Sequence, residues 1–402
     1  MIISYIILSF FIAISILYQL NRSFFSRFNI AVLTLFVGFV LLQILRIYCQ
    51  QYFGDILEYK ELFNDSKSFT DIIGSGIGLS YFAAETSLDV ESGYRVLMSL
   101  FKSFSEDYSL FLFGVSVIEL ATFYYFCKKM KINIFCALPI YISLTYITFQ
   151  IGMLRQALAS CVFLFAILNL HRKWLYLSLI TIGFFFHRSM AFCVLLIWVG
   201  KFVHPRYLIY AFIVSLVVYI LKIELVKEMW GYLFVDYSNR ANFYFNVERE
   251  NNYLGVGFWE RVISFVLMTF LYYRLIMKQK RIEYVAHSIV NATTSESIRS
   301  LSTKKANCKI NKQTLGDVNG NVMTVLYNLG VTVILLQMYF FSSPTITSRL
   351  RCYIMIFPMI FVVEYIRRNI NNYQKRICYM IPVYVYLLLY LYAQAGYLMG
   401  IE

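Results

Sequence analysis

The chain has 402 residues, of which 60% are hydrophobic and only 14% charged, with a mean hydropathy of +0.64. A soluble fold has no way to bury so much apolar surface, so several soluble domains are excluded and a multi-spanning membrane protein is expected. The net charge of +14 does not point to nucleic acid, because cytoplasmic loops collect Lys and Arg for topological reasons.

Taken in chain order, the apolar runs predict twelve membrane helices: Ile2–Leu20, Phe28–Tyr48, Tyr108–Cys127, Ile134–Phe149, Leu154–Leu170, Trp174–Phe186, Ser189–Val203, Tyr207–Leu221, Phe258–Met277, Val322–Phe341, Cys352–Ile366 and Cys378–Leu398. The first has no basic leader and no small-residue cleavage site, so it is expected to be a retained span. The fold class is thus an all-α polytopic membrane domain over residues 1–402, with soluble stretches at 49–107, 222–257 and 278–321. Lys and Arg gather in alternate loops. The stretch from Gln50 to Asp107 instead carries ten acids against four bases, net −6. The basic set is therefore read as cytoplasmic, which puts 49–107, 222–257 and both termini outside, and the polar loop 278–321 inside as a flexible segment. The eight cysteines form no CxxC and mostly lie in apolar runs, where Cys acts as a small hydrophobe.

On this topology several arginines lie near the outer membrane boundary. Arg155 opens one inward-running helix, Arg188 and Ser189 open another, and Arg349 and Arg351 precede a third. A helix N-terminus presents free N–H groups and a positive dipole end, and Arg adds a planar fork suited to phosphate, so these positions predict an anion trap. Arg46 differs, because it sits near an outward-pointing helix C-terminus that asks only for positive charge. His187 falls between two short runs. Trp174–Phe186 spans roughly 20 Å of an approximately 30 Å hydrocarbon core, so the His187–Arg188 tip is expected to be recessed. Asp55 and Glu91, in the acidic loop, are the candidates for a general base toward a sugar hydroxyl. The glycines at 74, 76 and 78 lack the strand-to-helix context of a nucleotide loop and read as linker. No metal-ligand cluster and no cofactor motif is found.

With these residues in place, the chain resembles the EpsG/Wzy-type family of bacterial polysaccharide polymerases. The resemblance rests on Leu45-Arg46, Gly54-Asp55 through Glu58-Tyr59, Glu91-Ser-Gly93-Tyr94, Gly152-Met-Leu-Arg155-Gln156-Ala157-Leu-Ala159, Phe186-His187-Arg188-Ser189, Ser238-Asn-Arg240 with Tyr244, and Arg349-Leu-Arg351-Cys-Tyr353. Two departures are Ser92, where the family more often has Pro, and the long loop 278–321. The resemblance implies joining of polyprenyl diphosphate-linked repeat units at the outer face of the bacterial cytoplasmic membrane, for capsule, exopolysaccharide or O-antigen. It places Arg155, Arg188, Arg349 and Arg351 on the diphosphate, Asp55 or Glu91 as base with His187 assisting, and Tyr59, Arg240 and Tyr244 near sugar. The implied partners are membrane lipid, a flippase and a chain-length regulator. Three readings stand beside it: another lipid-sugar transferase, a flippase or transporter, and a membrane acyltransferase.

Overall fold

The computed structural model describes residues 2–21, 25, 28–49, 54–75, 80–83, 90–198, 203–222, 256–297, 310–341 and 351–399, and among these no strand occurs. The helices group into two compact units, Met1–Trp198 with Ile366–Glu402, and Val199–Tyr365.

In the first unit, α1 (Ile2–Leu20) and α2 (Phe28–Cys49) are followed by four short helices, α3 (Gly54–Asp65), α4 (Phe69–Gly74), α5 (Ser80–Ala83) and α6 (Ser92–Lys102). The acidic stretch expected as a soluble loop is thus largely helical. It is anchored by aromatic side chains: Phe63 stacks on Phe111 at 5.3 Å between ring centres, and Tyr94 meets the same ring edge-on at 6.0 Å. Ser68 caps α4 by accepting from the Asp71 N–H, while its hydroxyl donates to Asp71 Oδ2 at 2.6 Å.

Next come α7 (Tyr108–Lys129), capped by Asp107, and α8 (Ile134–Tyr141), capped by Asn133. Pro139 interrupts α8, and the chain continues as a π-helical stretch, Ile142–Gln150. In that wide turn the Thr148 hydroxyl donates to the Ser143 carbonyl five residues back, at 2.8 Å. Such stretches concentrate at functional sites. The chain bends at Gly152-Met153 into α9 (Leu154–Leu168), then α10 (Lys173–Phe184) and a 3-10 helix, Arg188–Trp198. The last two form a hairpin tied by the Tyr176 hydroxyl, which donates to the Cys193 carbonyl. α9 lies against both α7 and α10, and α15 (Tyr373–Met399) closes the unit against α1 and the π-helical stretch.

The second unit holds α11 (Pro205–Ile220), capped by His204 with Pro205 in its first turn, α12 (Val256–Ser297) and α13 (Ile310–Tyr339). Stacked rings join them, Phe212 on Phe265 at 3.7 Å and Tyr272 on Tyr327 at 4.0 Å. α14 (Ile356–Asn369) leads from this unit back into the first.

Among the described residues, five helical segments are long and apolar enough to cross a membrane: Ile2–Leu20, Tyr108–Lys129, Gly257–Ile282, Val322–Tyr339 and Tyr373–Gln394. Five of the remaining predicted spans fall on shorter apolar helices of 10–17 residues, Phe28–Tyr48 falls on the 22-residue α2, whose described apolar part is Val32–Tyr48, and Cys352–Ile366 falls mainly on α14, which carries Glu364, Arg367 and Arg368. A count of twelve crossings is therefore not established by helix length. In one of these stretches, Ile134–Gln150, Pro139 and the π-helical turn interrupt the regular helix, and Gly152 follows in the break before α9. The expected flexible loop 278–321 also differs, since α12 and α13 run into it from both sides. Lys278-Gln-Lys-Arg-Ile-Glu283 consists largely of straight-chain residues that lose little freedom in a helix.

Candidate functional site

Glu91 is the residue before α6, and its carboxylate is not used to cap that helix. Instead Oε2 accepts from Arg155 Nη1 at 2.6 Å, an ion pair with side-chain exposures of 9% and 25%. Its other oxygen, Oε1, accepts from the backbone N–H of Arg188 at 3.3 Å. Arg155 is the second residue of α9, and its Nε donates to the Tyr59 hydroxyl at 3.2 Å while the guanidinium lies 5.7 Å from the Tyr59 ring centre. Thus Glu91, Arg155, Arg188 and Tyr59, chosen from separate stretches of sequence, meet at one place.

Gly93 is what allows the meeting. Its N–H donates to the Phe185 carbonyl at 2.8 Å, and a Cβ at this position would lie 2.7 Å from that oxygen. Any side chain would push the hairpin tip off the start of α6 and separate Arg188 from Glu91. At the tip, His187 Nδ1 accepts from the Ser189 N–H at 3.2 Å and lies 2.6 Å from the Ser189 hydroxyl. His187 therefore caps the 3-10 helix through Nδ1, a local role compatible with an assisting role but distinct from it.

The rings behind the site are buried. Tyr94 is 0% exposed and 5.5 Å from the Tyr59 ring. Burial pushes its phenol well above the ordinary tyrosine range, Tyr108 and Tyr59 push the same way, and the guanidiniums of Arg155 and Arg46 oppose the shift. That pattern puts both guanidiniums within electrostatic reach of one phenol.

Arg46 is not the boundary residue that its helix position suggests. Its side chain is fully buried and pairs with the fully buried Glu119 at 3.0 Å. Nη1 also donates to the Ser116 hydroxyl, Nη2 donates to the Gln150 carbonyl at 2.8 Å, and the Tyr146 ring lies 5.2 Å away. The expectation that position 46 needs only positive charge is corrected by this geometry. Glu119 escaped the sequence reading although the signal was present, an acid in the middle of an apolar run, which is costly at membrane depth unless paired.

Asp55 lies in the first turn of α3, but its side chain falls outside the described residues, as do Arg349, Arg240 and Tyr244 altogether. Arg351 belongs to the second unit, where it is half-buried, its Nε donates to Met355 Sδ at 3.0 Å, and it is in electrostatic reach of Arg261.

Fold and site define a helical membrane protein with guanidinium, carboxylate and imidazole groups gathered at a hairpin tip. The chain belongs to the EpsG family, a family of Wzy-type polysaccharide polymerases, which it matches over residues 48–396. Membership gives it the role of a membrane polysaccharide polymerase of glycosyltransferase type acting on lipid-linked glycan. No curated protein and no solved structure matches it.

Proposed function

We propose that this chain joins polyprenyl diphosphate-linked oligosaccharide repeat units at the outer face of the bacterial cytoplasmic membrane. The acceptor hydroxyl attacks the anomeric carbon of the donor glycan, and the bond from that carbon to the diphosphate oxygen breaks. The electron pair leaves with the diphosphate, and the hydroxyl proton passes to a carboxylate. Arg155 and Arg188, with Arg349 and Arg351 as further candidates, stabilise the charge on the departing diphosphate. Glu91 or Asp55 takes the proton, His187 assists, and Tyr59, Arg240 and Tyr244 meet the sugars.

The observation that carries the reading is the Glu91–Arg155 pair with the Arg188 N–H on the second carboxylate oxygen. Here a guanidinium fork and a helix-opening N–H are both held by one carboxylate. A diphosphate presents the same kind of oxygens with more charge, so its arrival can take over these donors and release Glu91 to act as base. The exchange couples donor binding to activation of the acceptor. The shortness of α10 and of the 3-10 helix supports a tip recessed below the outer surface, where water screens these charges less.

Disabling the gene is expected to leave single repeat units attached to lipid on the outer leaflet, with no polymer. Gel analysis of lipid-linked glycans, with and without surface-restricted labelling, reads this. Repeat units trapped on the cytoplasmic leaflet would favour a flippase instead.

A further inference from the structure

The Arg46–Glu119 pair is buried completely, at a cost that well-packed apolar side chains of similar volume would avoid. Arg46 Nε and Glu119 Oε2 have no hydrogen-bond partner among the described residues.

What the guanidinium grips suggests another reason. Gln150 is the last residue of the π-helical stretch, and its carbonyl accepts from Arg46 Nη2 at 2.8 Å. Its side-chain oxygen accepts from the Tyr141 hydroxyl at 2.5 Å, so the residue is held at both its backbone and its side chain. The neighbouring N–H groups of Ile151 and Met153 go back to Tyr146 and Phe149, and the chain then turns through Gly152 into α9. Arg155 follows within the first turn of that helix. Tyr94, whose ring lies 5.5 Å from the Tyr59 ring, is fully buried, its hydroxyl without a hydrogen-bond partner among the described residues.

We propose that Arg46 is a positioning residue for polymerisation: by tying the Gln150 carbonyl to Glu119 and Ser116 of α7, it fixes where α9 begins and so aims Arg155 at Glu91. This rests on the site proposed above. It requires a fork. One ammonium cannot meet the Glu119 carboxylate, the Ser116 hydroxyl and the Gln150 carbonyl with the same geometry.

The test measures polymer formation in the native host with its gene replaced by variants, while protein level and thermal stability in detergent are read alongside. Arg46→Lys is expected to lower the rate about 10²-fold, the loss that a misplacement of about 1 Å produces. Tyr59→Phe, which removes the hydroxyl on Arg155 Nε, is expected to lower it about tenfold. Phe keeps the ring that meets sugar, so the lost hydroxyl acts only on Arg155, and the two changes combined should lose no more than Arg46→Lys alone. Losses that multiply overturn the proposal.

The paired change Arg46→Met with Glu119→Met removes both charges at similar volume. It is expected to keep protein level and stability while leaving the rate as low as in Arg46→Lys. A wild-type rate from that pair also overturns the proposal, since Arg46 would then be only a neutralised charge. Arg155→Ala separates the two levels of argument. Full polymer from it removes the site itself, whereas no polymer from it, with full polymer from the Met pair, removes only the positioning role.

Discussion

Arg155→Lys is expected to abolish polymer while leaving the protein in the membrane at its usual level. The guanidinium uses two separate edges, Nη1 toward Glu91 at 2.6 Å and Nε toward Tyr59 at 3.2 Å, and lies 5.7 Å from the Tyr59 ring centre. Lysine carries the same charge but as a point, so it can keep one of these contacts and cannot grip a diphosphate through two parallel bonds. Loss of a single donor to charge developing in a transition state typically costs about 10²–10³ in rate. The comparison is polymer amount and length for Arg155→Lys beside Arg155→Ala. A chain for which Arg155 only snorkels would accept lysine, because lysine also reaches the interface with its charge. Full polymer from Arg155→Lys therefore removes the diphosphate clamp.

Glu91→Gln is expected to lower the rate by about 10²–10⁴, the usual contribution of a positioned general base. The amide keeps the shape of the side chain and can still accept from one partner, so α6 and the hairpin tip should stay docked through Gly93 and Phe185. What it loses is basicity and the charge that holds Arg155. Asp55→Asn is the companion measurement, since either carboxylate is a candidate for this role. Asp65→Asn and Asp71→Asn serve as controls. Both are exposed, and Asp71 works locally at the start of α4, where it accepts from Ser68. Polymer rates should fall steeply at 91 or 55 and barely at 65 and 71. Equal, mild effects at all four positions would leave only a solvated acidic loop.

Much of the fold was legible because hydropathy is a strong, additive signal: the five longest candidate spans begin and end within a few residues of the predicted runs. The interruptions were not legible in the same way. Pro139 was visible, and the break around Gly152 falls between the predicted runs Ile134–Phe149 and Leu154–Leu170, but a π-helical turn has no compositional mark.

The site divides along a similar line. Arg155, Arg188 and His187 stood out because charge at the start of an apolar run is rare, and Glu91 stood out, with Asp55, through its place in the acidic outer loop. Their convergence depends on the Gly93–Phe185 contact, which joins residues 92 positions apart and leaves no periodicity to detect. Arg46 was misread for the opposite reason. Its position at a helix C-terminus supplied a sufficient local explanation, while its real partners lie on α7 and at the end of the π-helical stretch.

The most direct measurement is polymerisation by the purified protein in liposomes. Lipid-linked repeat units extracted from the gene-disrupted host serve as both donor and acceptor. The account predicts a ladder of lipid-linked glycan that grows by whole repeat units and releases one polyprenyl diphosphate for each unit joined. It also predicts that Glu91→Gln and Arg155→Lys proteins, reconstituted to the same level, give no ladder. Repeat units that move between leaflets without lengthening, or a ladder made equally well by both variants, would contradict it.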